Sequence, residues 1–196
     1  MKLVAITGSI GCGKTTLAKI AKDLGYAVFD VDAWVRRIYH KKDFLVQLNK
    51  LFNGCVKDGV ADKKYLRQIV FNDKKNLTAL ENLIYPTLNK MIRQEIRKKA
   101  FKDEICFLDI ALLFEKNWDK YCDFIILADV DYEIQKQRVM KRDNISEEGF
   151  EKINCQQMSN TEKKNLSDIV INTDKPLNLL KVEMINVIKA LECYNG

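Results

Sequence analysis

At 196 residues, 47% hydrophobic and 31% charged, the chain reads as an ordinary globular protein with length for one good core and a small inserted subdomain. No stretch approaches the roughly 20 apolar residues of a membrane span. The net charge of +6 comes as separated doublets (Lys41-Lys42, Lys63-Lys64, Lys74-Lys75, Lys98-Lys99, Lys163-Lys164), which suits solvated helix faces with a bias toward polyanionic small molecules and argues against nucleic acid as the main partner. His40 is the only histidine, so histidine-based zinc sites and Ser-His or Cys-His catalysis are excluded. The six cysteines include no C-x-x-C pair and read as free thiols.

The first element begins almost at the first residue, which leaves no room for a signal peptide and leads us to expect a cytoplasmic protein. Leu3-Val4-Ala5-Ile6 predicts a buried strand. Residues 8 to 15, Gly-Ser-Ile-Gly-Cys-Gly-Lys-Thr, then match the phosphate-loop pattern G-x-x-x-x-G-K-[ST], and a helix opens at Thr15-Thr16-Leu17. Gly8, Gly11 and Gly13 allow the tight turn that brings backbone N–H groups against anionic oxygens at a helix N-terminus. Lys14 is expected to reach the β- and γ-phosphates of a nucleoside triphosphate, and the Thr15 hydroxyl to ligate Mg²⁺. Cys12, inside this loop, reads as a small residue that fits rather than as a reactive thiolate.

Tyr26-Ala27-Val28-Phe29 predicts a second strand that ends in Asp30-Val31-Asp32. In a kinase a carboxylate at this place can take the proton of an attacking hydroxyl; we assign that role to Asp32, with Asp30 structural or orienting. The following stretch, about residues 33–103, reads as a helical insertion that binds substrate. Asp62 and Asp73 are its expected N-caps, and Tyr85-Pro86 an expected boundary between two helices. Three more apolar runs each end in a polar residue: Ile105–Leu108 before Asp109, Phe124–Ala128 before Asp129, and Asp168–Ile171 before Asn172. Asp109 follows a Walker B-like strand and is the first candidate for the Mg²⁺ sphere, with Asp129 its competitor. Residues 132–166 read as a charged helical lid in which Ser146 starts a helix. Arg138 and Arg142 lie one turn apart there, so they either stabilise a transferring phosphoryl group or belong to a solvated face.

Five apolar runs separated by helical stretches predict an α/β fold: a three-layer, doubly wound, parallel five-stranded sheet of the P-loop kinase type. One domain, 1–196, carries both elaborations.

Together, Ile6 to Thr15, Phe29-Asp30-Val31-Asp32, Asp109-Ile110-Ala111-Leu112-Leu113-Phe114-Glu115, Gln137-Arg138 to Arg142-Asp143 and Asp168 to Asn172 resemble the dephospho-CoA kinase family in order and spacing, from residue 3 to about residue 173. The resemblance implies an ATP- and Mg²⁺-dependent kinase that phosphorylates the ribose 3′-hydroxyl of dephospho-CoA. It implies that Gly11 through Thr16 bind ATP, that Asp32 is the general base, and that Arg138 and Arg142 belong to a lid over the phosphates. Asp32, Asp109, Leu112, Leu113 and Glu115 would lie on the acceptor side, and the helical insertion would hold the pantetheine arm. Ala111 stands where the family usually has proline, and Tyr85 where histidine is common.

Other small-molecule or nucleoside monophosphate kinases share the loop, sheet and lid. A regulatory GTPase is disfavoured because Asn172-Thr173-Asp174-Lys175 has the wrong order for N-K-x-D. The expectation is therefore a small-molecule kinase without membrane or nucleic-acid partners, a monomer or weak homo-oligomer.

Overall fold

A computed structural model describes residues 1–71, 73–98 and 105–194. The chain divides into two compact units, Met1–Asp30 with Ala100–Gly196, and Val31–Lys99.

The first unit is built on strands β1 (Lys2–Thr7), β2 (Ala27–Asp30), β5 (Ile105–Asp109), β6 (Phe124–Asp129) and β7 (Ile169–Asn172). Every pairing among them is parallel, in the order β2-β5-β1-β6-β7. The central strands are apolar between their ends because helices cover a parallel sheet on both faces. Strand alternation sends Val4 and Ile6, with Ile105, Phe107, Ile126 and Ile171, into one core. That core is closed by helices α1 (Lys14–Asp23), through Leu17 and Ala21, and α9 (Leu177–Cys193), through Leu180, Met184 and Ile188. Each buried leucine, isoleucine, valine, phenylalanine or methionine among these stabilises the fold by about 1.5–3 kcal/mol. Tyr26 meets Phe107 edge to face at 5.7 Å within the same core.

Between β6 and β7 run α6 (Tyr132–Asp143), α7 (Glu147–Asn154) and α8 (Asn160–Asn165). Their starts follow from local chemistry. Asp131 accepts from Glu133 N, Ser146 from Gly149 N, and Ser159 forms a reciprocal capping box with Glu162.

The second unit is helical: α2 (Val31–Ile38), α3 (Lys42–Leu51), α4 (Lys63–Phe71) and α5 (Lys74–Lys98). Helices α2, α3 and α4 each pack against α5. Asp62 caps α4 by accepting from Tyr65 N at 3.0 Å, and Asp73 accepts from Lys75 N at 2.7 Å at the start of α5. Two features depart from the expectations above. The Tyr85-Pro86 boundary does not exist: α5 runs on through Pro86 for 25 residues. Proline there removes one intrahelical bond, a loss that packing of Leu80, Ile84, Leu88 and Ile92 into the core of this unit outweighs. A hairpin also appears, β3 (Val56–Lys57) against β4 (Val60–Ala61), turning at Asp58-Gly59 with φ of 51° and 75°. Those positive values at both central residues suit a type I′ turn, and Asp-Gly between valines is its sequence signal.

Candidate active site

The phosphate loop, residues 8–15, joins the carboxyl end of β1 to the N-terminus of α1, at the centre of the sheet. Gly13 occupies the N-cap position of α1 with φ 83°. Lys14 forms an ion pair with Asp109, the last residue of β5, which is the strand next to β1. In the register of β2 with β5, Asp30 stands opposite Asp109, so both strands end in an aspartate at the carboxyl end of the sheet. Thr15 is exposed in the first turn of α1, and Thr16 is half-buried beside it. Asp32 lies in the first turn of α2, two residues beyond the end of β2.

The structure therefore brings Lys14 and Asp109 together at the loop, with Asp30 at the neighbouring strand end. Asp129 is drawn elsewhere: it is buried, and its Oδ2 pairs with Lys164 of α8 at 2.8 Å. That engagement leaves Asp109 as the carboxylate beside the loop lysine. A hydroxyl and a carboxylate are oxygen donors of the kind a hard dication takes. Among the described residues no three acidic, cysteine or histidine side chains cluster as a protein-only metal cage. The donor set thus fits Mg²⁺ shared with phosphate oxygens, the usual manner for that ion.

The two lid arginines separate. Arg138 Nη1 donates to Thr173 Oγ1 at 3.2 Å, and its Nη2 to Thr173 O and Asp174 Oδ1, each at 3.3 Å. Arg142, more exposed, forks onto its neighbour Asp143 at 2.7 Å. The shared helix face expected from their spacing does not bring both to one partner, because Arg142 finds a carboxylate one residue away.

Cys12 has no exposed surface. Burial pushes its thiol pKa up, against a smaller downward pull from the hydrogen bond with Asn160, so the loop holds a neutral thiol. In the turn after β5, Leu113 is buried and Leu112 half-buried. Glu115 Oε1 accepts from Met158 N at 2.8 Å and pairs with Lys163 Nζ at 3.1 Å. Lys163 has no exposed surface. In this structure Glu115 thus faces α8.

Several residues that pattern reading passed over surround the loop. Ser9 Oγ donates to Asn160 Oδ1 at 2.7 Å, Ile10 N to Gln157 Oε1 at 2.9 Å, and Gln135 Nε2 to Ile10 O at 2.8 Å. A Cβ at Gly11, where φ is 79°, would come within 2.5 Å of Val139 on α6, so only glycine lets that helix pack against the loop. These contacts join residues more than 120 apart, and no local motif carries them.

In the helical unit an open cavity of about 500 Å³ is lined by Tyr85, Pro86, Asn89, Lys90, Arg93 and Gln94 of α5. Its chemistry is one aromatic ring, two cations and two amides.

Comparison with known proteins agrees with this geometry. The dephospho-CoA kinase family model matches residues 2–178. A dephospho-CoA kinase of Bartonella quintana is 36% identical over 194 residues, covering 97% of this chain and 98% of its own length. The crystal structure of TT1252 from Thermus thermophilus superposes with a TM-score of 0.71 at 29% identity, covering 99% of this chain and 98% of its own. A dephospho-CoA kinase from Campylobacter jejuni does so at 0.54 and 27% identity, with 96% of each chain covered.

Proposed function

Because the chain belongs to the dephospho-CoA kinase family, we propose that it transfers the γ-phosphoryl group of ATP to the ribose 3′-hydroxyl of dephospho-CoA, giving coenzyme A and ADP. The observation that carries this reading is the Lys14–Asp109 pair at the mouth of a complete phosphate loop, set at the carboxyl end of the central strand.

Lys14 leaves Asp109 for the β- and γ-phosphates and neutralises charge that grows on them during in-line transfer. Thr15 and Asp109 would hold Mg²⁺, which when bound offsets charge on the phosphate oxygens. Asp32 accepts the proton of the attacking 3′-hydroxyl, and Asp30 orients the acceptor from the end of β2. Arg138 places a guanidinium beside the loop, where it can meet the transferring group; Arg142 joins the phosphates once its fork with Asp143 opens. The helical unit takes the acceptor. The cavity of Tyr85, Lys90 and Arg93 suits an organic molecule that carries anionic groups, and tyrosine stands there where the family commonly has histidine. Residues 132–166 act as the lid that excludes water.

No helix among the described residues is long and apolar enough to cross a membrane. We read the enzyme as cytoplasmic, a monomer or weak homo-oligomer, acting without nucleic acid. The deciding experiment offers ATP, Mg²⁺ and dephospho-CoA together, then AMP, shikimate and nucleosides in its place, with the product identified by mass spectrometry. Coenzyme A is expected from dephospho-CoA alone; phosphorylation of another acceptor in preference would transfer the reading to a different kinase of this fold.

A further inference from the structure

Thr173, the residue after β7, is nearly inaccessible to solvent and lies against the phosphate loop. Its hydroxyl donates to the backbone carbonyl of Cys12 at 2.8 Å and accepts from Arg138 Nη1 at 3.2 Å, so its single O–H donor is committed to that carbonyl. Its own N–H donates to Asp129 O at 2.8 Å, which fixes it to the end of β6. A Cβ built on Gly13 would fall 2.8 Å from Thr173 Oγ1 and 2.9 Å from its Cβ, so the threonine packs directly on the Cys12–Gly13 peptide.

That peptide is trans, and in a planar trans peptide the C=O and the N–H point in opposite directions. A hydroxyl that holds the Cys12 carbonyl on the Thr173 side therefore turns the Gly13 N–H to the other side. The restraint matters because Gly13, at φ 83°, has no Cβ to resist rotation of its peptide plane. We propose that Thr173 is a positioning residue: its hydroxyl locks the Cys12–Gly13 peptide so that the Gly13 N–H is presented to the phosphates of the nucleotide. This rests on the reading of residues 8–15 as the ATP-binding loop. The same hydroxyl receives Arg138, so the loop and that arginine share one anchoring point.

The test replaces the hydroxyl by a methyl group of similar size, Thr173→Val, and measures dissociation constants by calorimetry for ADP, adenosine and dephospho-CoA. With the Cys12 carbonyl losing its donor and Arg138 keeping only its Nη2 contacts to Thr173 O and Asp174, ADP affinity should fall about tenfold. Adenosine and dephospho-CoA should bind as they do to the parent, and Thr173→Ser should restore most of the ADP affinity. In turnover, the loss should appear as a raised KM for ATP with kcat reduced less. Should Thr173→Val lower the melting temperature severely, Thr173→Cys, which keeps the volume and replaces the hydroxyl by a weak donor, is measured in its place. Unchanged ADP affinity overturns the proposal, as does a serine variant as poor as valine. Equal weakening of adenosine and ADP also overturns it, because the residue would then act on the nucleoside end. A parent that binds no ADP at all removes the loop assignment itself, and this proposal with it.

Discussion

The sheet unit and the helical unit carry their chemistry by different means. The sheet unit holds 17 Lys and Arg against 20 Asp and Glu, a net −3, yet it contains the loop that we read as gripping a polyanion. The helical unit, Val31–Lys99, holds 16 against 7, a net +9 in little more than a third of the chain. The negative unit needs no excess of cations, because glycine-shaped main-chain amides and one lysine provide local positive potential where the phosphates lie. The helical unit contains no such backbone device among its described residues, and on the function proposed above a field spread over several helices would draw an anionic acceptor toward it. One grips by geometry, the other attracts by charge.

Five measurements press on this contrast, the largest effect first. Removing the point contact should be the most damaging: Lys14→Ala is expected to lose about 10³-fold or more in kcat/KM, roughly 4 kcal/mol of transition-state stabilisation. Asp32→Asn should lose about 10²–10⁴-fold in kcat while its ATP affinity, read by calorimetry, stays at the parental value. If the asparagine variant turned over at the parental rate, Asp32 would not be the base. Next, Gly13→Ala imposes a side chain on a left-handed φ of 83° against Thr173, and should cost about 1–3 kcal/mol in thermal stability besides weakening ADP. A neutral outcome there would show that the loop is held less tightly than its contacts suggest. Fourth, raising the ionic strength from about 0.05 to 0.5 M should raise KM for dephospho-CoA severalfold, as steering by dispersed charge is screened. Lys90→Ala or Arg93→Ala should reproduce part of that change at low salt. Equal responses of both variants and parent to salt would detach the cavity from the acceptor. The smallest effect concerns stability alone: Pro86→Ala should stabilise the protein by about 1 kcal/mol, because the helix regains a bond at a modest entropic cost in the unfolded chain.

The same division explains what could be read from the sequence. All five sheet strands were legible because a parallel sheet buried on both faces demands short apolar runs, and Asp30, Asp109, Asp129 and Asn172 mark where each run reaches its working end. The phosphate loop was legible because its glycines are demanded locally. Pro86 misled, since a rule about helix interiors says nothing of the core that holds α5 straight through it. The Asp58-Gly59 turn did carry a local signal, which went unread among longer helical patterns. Thr173, Gln157 and Asn160 left none: a threonine after a strand becomes a partner of Cys12 only when residues 161 apart are folded together. The division of labour between Arg138 and Arg142 was likewise invisible, being set by Thr173 and Asp143 rather than by helical spacing.

The α8 segment limits how any cover over the nucleotide can swing. Three separate rivets fasten it to the frame: Lys163 to Glu115, Lys164 to Asp129, and Asn160 to Ser9. Prising away the first would strand an ammonium ion that has no access to water, at a penalty of several kcal/mol. The stretch that leads to it is tied down at its start as well, since α6 reaches the phosphate loop through Gln135 on Ile10 O and meets Thr173 through Arg138, so in this structure the stretch from α6 to α8 is pinned at both ends.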